Sequence, residues 1–431
     1  MISRYYNIIR SSLMKFADNN TVQLILFIAF FVILEFEYYD FINIPLYRER
    51  MGFDFEFSIY RFLFSNIAFV FLILLNKKFK NFDFFINSLF LVFLTIPSLV
   101  FYEFMPNTPI AISLFMLLFH ALYYYSTKLE ISYPLPDLTI KEDRKLMILF
   151  SIILLSVIPF LIDYGFIINT KAFITSEVYN IREIGSAKLT MLTGYLYGWI
   201  VRILIPVAFI ISLTKKKYLF ALLFLIIQIY LYSLLAQKLV FVTLFIALLM
   251  FIKSYYRQVT WVLFSVIGVI VLSKLISILT GNIIVESIIV RRTFFIPTII
   301  TSNYLEFFND NYVYWSNSVL KMFGQYPYDV SPNLLIGTEY YDGVIKSANT
   351  GFLGDGFMNF GYLGMLFNVV SVVIVFKLFS LMKISSDYSG VFIIIIYTLV
   401  NGYFFTSLLT HGIIILLLTS FFVLRNTSKE Q

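Results

Sequence analysis

Long, uninterrupted apolar runs alternate with short polar intervals along this chain, the runs falling near 21–41, 57–75, 82–102, 108–126, 146–167, 189–213, 217–235, 239–252, 259–279, 362–380, 390–408 and 412–424. A helix needs about 20 apolar residues to cross a hydrocarbon core of about 30 Å, and most of the runs reach that length. They are continuous rather than alternating, unlike the roughly ten-residue strands of a membrane barrel. The pattern predicts an all-α polytopic integral membrane protein with about twelve transmembrane helices, 239–252 and 412–424 being the shortest. No soluble domain, long linker or repeat interrupts it. The expected organisation is a single transmembrane domain over 1–431, with an interfacial segment at 1–20, an external loop at 163–188 and a large external loop at 280–361 before the tenth helix.

Composition agrees: 60% of residues are apolar and 13% charged, with a mean hydropathy of +0.86, against about 25% charged in soluble domains. The chain has no cysteine and two histidines. That excludes disulfides, thiol nucleophiles and Cys-ligated or His-rich metal centres, so neither metal nor cofactor is expected. No Walker or dinucleotide-binding glycine motif occurs, so the substrate or a gradient has to drive any reaction. The 50 Phe and 31 Tyr fit lipid-facing packing and interfacial belts.

The net charge of +7 would fit a nucleic-acid partner, but the cations are placed otherwise. Lys77, Lys78 and Lys80; Lys128, Lys141, Arg144 and Lys145; Lys215, Lys216 and Lys217; Lys253 and Arg257; Lys383; and Arg425 and Lys429 fall in every second inter-helix interval. That is the positive-inside pattern. It predicts both termini in the cytoplasm and no nucleic-acid partner. Residues Met1–Asn20 set Ile2, Ile8, Ile9, Leu13 and Phe16 against Arg4, Arg10 and Lys15, as an interfacial cytoplasmic helix would, and lack the features of a secretory signal.

The candidate chemistry lies on the opposite side. Arg182, in Val178–Gly185, offers a planar fork for phosphate or a surface ion pair with Glu183 or Glu177. Arg291 and Arg292 repel one another and point in different directions, so one is expected to hold an anion while the other braces the loop. Lys238 stands in the tight hairpin at Gln237–Lys238, within reach of a lipid phosphate or simply snorkelling. Arg202 falls in mid-span, where a charge is costly and faces a partner or a watery cavity; Glu35, Glu37 and a substrate are the options. Lys274 and Lys377, nearer span ends, are expected to snorkel. Along Asn349–Gly364 the glycines permit tight turns, while Asn349 and Asp355 offer polar groups to sugar hydroxyls; a re-entry turn accounts for the same residues. Tyr312–Phe323 suits a helix lying on the membrane or a sugar-stacking floor. His411, expected at the external end of a final hairpin, is a candidate proton shuttle.

This arrangement resembles the Wzy-type oligosaccharide repeat unit polymerases of bacterial O-antigen and capsule synthesis. The likeness rests on an arginine-bearing loop after the fifth run, the basic hairpin at Gln237–Lys238 and the large loop before the tenth helix. It also rests on Arg291–Pro297 followed by Tyr304–Phe308, on Asn349–Gly364, and on Arg182 and Gly198 with fifteen residues between them. Phe307 and Phe308 stand at the same spacing from Arg291 and Arg292. The resemblance implies a GT-C-like membrane glycosyltransferase of the cytoplasmic (inner) membrane. It would move a growing glycan from undecaprenyl diphosphate to the non-reducing end of a lipid-linked repeat unit at the external face.

In that scheme Arg182, Arg291, Arg292 and Lys238 steady the departing diphosphate, and Asp355 or His411 takes the acceptor proton. Arg202 and Asn349 are further substrate contacts. Expected partners are the lipid-linked donor and acceptor, membrane lipids, a chain-length regulator and a flippase. An O-antigen ligase is the nearest alternative. Arg202 keeps open a flippase or transporter of lipid-linked oligosaccharide, whose substrate would bind near the membrane midplane.

Overall fold

The computed structural model describes residues 17–130, 136, 138–174, 177–318, 321, 324–341 and 345–425. Most of the interfacial segment expected over Met1–Asn20 lies outside them. The described residues are mostly helical, with no strand. In chain order the helices used below are α1 (Asn20–Ile42), α2 (Ile59–Asn76), α3 (Asn81–Phe104), α4 (Ile110–Lys128), α5 (Arg144–Tyr164), α6 (Val178–Ala187), α7 (Met191–Thr214), α8 (Tyr218–Leu235), α9 (Lys238–Phe251), α10 (Tyr255–Thr280), α11 (Ile296–Phe307), α12 (Pro332–Tyr341), α13 (Phe352–Leu381), α14 (Ser386–Asn401) and α15 (Phe404–Leu424). Ten of these are long and apolar enough to cross a membrane, whereas α9 and α14 are shorter. The chain is a multi-pass membrane protein.

Five π segments occur among the described residues, and one sequence feature accounts for three of them. The π segments Leu91–Thr95, Ile200–Leu204 and Ser287–Phe295 end two residues before Pro97, Pro206 and Pro297. A proline inside a helix supplies no N–H, and its ring collides with the carbonyl four residues earlier. Widening the preceding turn relieves the collision without ending the helix.

The chain forms two compact units. The first comprises Met1–Ile131, Ser254–Lys377 and Leu399–Phe404. Its centre is α3, which is buried along nearly its whole length. Side-chain hydrogen bonds tie α3 to its neighbours: Asn87 Nδ2 donates to Asn76 Oδ1 at 2.8 Å, and the buried His120 ring meets Asn87 at 2.7 Å and Thr95 at 2.8 Å. Within a membrane such bonds and close packing, rather than hydrophobic burial, hold helices together.

The second unit comprises Ser132–Lys253, Leu378–Thr398 and Phe405–Gln431. Here α7 is the most enclosed span. Gln228, in the middle of apolar α8, donates to Val201 O at 3.0 Å and Val240 O at 2.8 Å, and reaches Thr243 Oγ1 at 2.9 Å. Val201 belongs to the π turn of α7, so Gln228 satisfies a carbonyl of the distorted segment.

The end of the chain departs from the expected pattern. The apolar runs place a hairpin at Leu409–Gly412, but the helix breaks at Gly402–Tyr403 and the last span starts at Phe404. Asn401–Gly402 is a stronger turn dipeptide than the His411–Gly412 pair. Gly412 instead makes a local break inside α15, with φ of +91°. His411 therefore lies within the last span rather than at an external turn.

Candidate anion-binding site

In the second unit the π turn of α7 carries Arg202. The side chain is partly exposed, yet its Nε and Nη1 are buried with no hydrogen-bond partner among the described residues. A fixed cation with unmet donors is costly in a membrane, and an anion would meet both needs. Tyr197, buried one turn earlier, lies within electrostatic reach of both Arg202 and Arg182.

Arg182 arrives from α6, which docks on the end of α8. Gly185 approaches the Leu234 carbonyl so closely that a Cβ has no room, and Tyr164 Oη donates to Gly185 O at 2.6 Å. Helix α8 ends with Ala236 in the left-handed region, φ +47°, and Arg182 Nη2 donates to the Ala236 carbonyl at 3.1 Å. Lys238 follows two residues later at the start of α9 and is exposed.

His411 enters from the break in α15. Gly198 on α7 packs against the Thr410 carbonyl where any Cβ would clash, and Trp199 Nε1 donates to Leu409 O at 2.6 Å. The imidazole Nδ1 is 3.4 Å from Ser407 Oγ, and Arg202 acts on the ring electrostatically. The glycine at the motif spacing from Arg182 thus has a physical role: it admits the chain segment that bears His411. An apolar cavity of about 340 Å³ lies beside Trp199, walled by Leu149 and Ile152 of α5, Ile200 and Leu204 of α7, and Leu418 and Phe422 of α15. The second unit so gathers Arg182, Arg202 and His411, with Lys238 nearby in the chain and an apolar cleft alongside.

The remaining candidates belong to the first unit. Arg291 is braced: Nε donates to Ser287 Oγ at 2.9 Å, Nη1 lies 2.7 Å from Met51 Sδ, and the guanidinium sits 4.8 Å over the Tyr47 ring. Arg292 is exposed, as is Asn349. Of the arginine pair, Arg291 is the brace and Arg292 the accessible cation.

Asp355 is enclosed, 3% exposed, and accepts from the Phe404 amide at 2.8 Å, Asn359 Nδ2 at 3.0 Å and Asn368 Nδ2 at 3.5 Å. The Asn368 contact exists because α13 folds back on itself at Phe360–Gly361, where Gly361 has φ of +60°. Asn368 Nδ2 reaches Phe352 O at 2.7 Å, although sixteen residues of straight helix would separate them by about 24 Å. Gly356 and Gly364 face each other across this hairpin with no space for a Cβ on either. A tight turn lies within Asn349–Gly364, at Phe360–Gly361, and Asp355 is held inside the hairpin it makes.

Among the described residues of Tyr312–Phe323 no helix forms, and they make turns through Ser318. Tyr314 and Trp315 have φ of +50° and +57°, which no helix accommodates. The Val313 amide donates to Met358 O at 3.0 Å and the Trp315 amide to Asn359 Oδ1 at 2.6 Å, so the segment caps the hairpin tip. Lys274 is paired, with Glu286 at 3.0 Å and with Asp40. Glu37, considered above as a partner for Arg202, is instead electrostatically engaged with Lys274 and Glu286. Among the described residues no three His, Asp or Glu side chains gather as metal ligands.

No protein family, curated protein or solved structure matches this chain. Sequence reasoning passed over Tyr197, Gln228 and Thr243. The signal for them was available: Pro206 foretells a distorted turn at Arg202, and a glutamine inside an apolar span needs partners.

Proposed function

We propose that this protein is a membrane glycosyltransferase that polymerises oligosaccharide repeat units carried on a polyprenyl diphosphate, the Wzy-like activity. The observation that carries the reading is Arg202, a membrane-embedded guanidinium with two nitrogens unpartnered among the described residues, within electrostatic reach of His411, sharing Tyr197 with Arg182, and carried on a helix that also lines an apolar cleft. A lipid diphosphate has the matching shape, an anionic head on a long apolar tail. The proposal includes a GT-C-like architecture with twelve crossings, α9 and α14 counted among them, in the bacterial cytoplasmic membrane. Both termini face the cytoplasm and the reacting face is external.

In the reaction, an acceptor hydroxyl oxygen bonds to the anomeric carbon of the donor glycan as the bond from that carbon to the diphosphate oxygen breaks. Arg202 and Arg182 stabilise the negative charge that develops on the departing diphosphate, with Lys238 adding a cation. The acceptor proton passes to the His411 imidazole. Asp355, with its oxygens engaged inside the hairpin, is left out of this step.

A second reading is transport of the same lipid-linked substrate, favoured by the mid-span position of Arg202 and the break in α15 at Gly412. The surface-glycan ladder of a strain lacking the gene separates the readings. Single repeat units at the surface, restored to a ladder by the wild-type gene and not by Arg202→Gln, support polymerisation. Units held inside the cell support transport, and long chains left on the lipid carrier support a ligase.

A further inference from the structure

The first unit contains a second cavity, of about 410 Å³, where the ends of four spans meet: the starts of α1, α3 and α10 and the end of α2. Its lining has two characters. Phe27, Ile73 and Phe84 form an apolar wall, with Phe84 stacked on Tyr256 at 4.7 Å. Lys77 and Lys80 stand at the same cavity, both exposed. Neither ammonium has a hydrogen-bond, ion-pair or ring partner among the described residues, unlike the neighbouring Lys78, which lies 5.8 Å over Tyr124.

The acid lining the cavity does not serve these lysines. Asp18 is taken by Arg257, whose Nε lies 2.9 Å from both carboxylate oxygens and whose Nη2 lies 2.6 Å from Oδ2. The carboxylate is neutralised, and the lysines leave a local surplus of two positive charges. Three helices also begin here, each with the positive end of its dipole. Polar side chains are already committed: Asn76 bonds Asn87 and Ser88, and Gln23 donates to Tyr256 O at 2.9 Å. The cavity therefore offers cationic donors at the ends of the spans and aromatic and aliphatic surface beneath.

We propose that this cavity binds the phosphate headgroup of an anionic phospholipid, with Lys77 and Lys80 on the phosphate and the Phe27, Ile73 and Phe84 wall against the glycerol and upper acyl carbons. The volume suits a headgroup-sized ligand. Its place at the span ends puts the cations at headgroup depth, where a basic side chain is attracted to an anionic surface. The site is independent of the glycan reading.

Native mass spectrometry of the full chain, with added phosphatidylglycerol, phosphatidylcholine or inorganic phosphate, tests the proposal. Phosphatidylglycerol is expected to bind about tenfold more tightly than phosphatidylcholine, corresponding to about 1.4 kcal/mol, and Lys77→Gln/Lys80→Gln is expected to abolish that preference. Leu24→Trp, which narrows the cavity and leaves both lysines in place, is expected to weaken both lipids and serves as the second variant if the double one does not fold. Lys215→Gln/Lys216→Gln is the charge-matched control and should keep the preference. Equal binding of the two lipids, a preference that survives Lys77→Gln/Lys80→Gln, or binding of both lipids that Leu24→Trp leaves unweakened, overturns the proposal. Binding of inorganic phosphate as tight as that of phosphatidylglycerol overturns the lipid as its source.

Discussion

Lys274 and Arg202 are both cations within apolar spans, and the protein treats them in opposite ways. Lys274 in the first unit is closed into a network with Glu286, Asp40 and Glu37. Arg202 in the second unit has two buried nitrogens with no partner among the described residues. An intramembrane charge is tolerated when paired or when it faces a polar cavity. The first solution serves the fold, and the second leaves a binding capacity that no described residue of the chain takes up. The contrast makes stability and activity separable by mutation.

The largest effect is expected from Lys274→Met. It leaves Glu286, whose side chain is 1% exposed, as an uncompensated buried acid, and breaking such a pair costs about 3–5 kcal/mol. Thermal unfolding in detergent should show the loss; a variant as stable as wild type would mean the network contributes nothing to the fold. Arg202→Gln should do the reverse. Removing one preorganised donor from a developing charge slows turnover by roughly 100-fold or more, while unfolding is unchanged or shifts upward. A destabilised Arg202→Gln protein would put Arg202 in the same structural class as Lys274.

Gly198→Ala probes how the site is assembled. The new methyl meets the Thr410 carbonyl, and overpacking of this kind costs about 1–3 kcal/mol; turnover should also fall as the His411 segment moves. Normal activity and stability together would show that the close approach is dispensable. The smallest effect is expected from Asp355→Asn, which keeps the shape but turns an amide N–H toward a donor, at about 1 kcal/mol. Per folded molecule it should turn over normally. Loss of turnover without loss of stability would return Asp355 to the role of base.

Much of this was legible in the residues. Continuous apolar runs define spans because lipid demands internally satisfied backbone, and nearly all the long helices fall where the runs predict. The glycines of Asn349–Gly364 announced close approach, and the hairpin uses them so. What escaped was the choice between alternatives that one sequence leaves equal. Asn401–Gly402 and His411–Gly412 each interrupt an apolar stretch, and only packing decides which becomes the turn and which a kink. Arg291 and Arg292 are adjacent in the chain, but Tyr47 and Met51, some 240 residues away, determine which is the brace. Asp355 looked like an available acid because its partners Asn368 and the Phe404 amide approach through long-range folding.

Equilibrium binding of a prenyl diphosphate to the purified protein tests the central claim, that the unmet donors of Arg202 form an anion site. Wild type should bind saturably, with affinity about 10- to 100-fold above that of Arg202→Gln, as expected for about 1.5–3 kcal/mol from a charged hydrogen bond. Prenyl diphosphate binding that is identical in the two proteins would contradict the account.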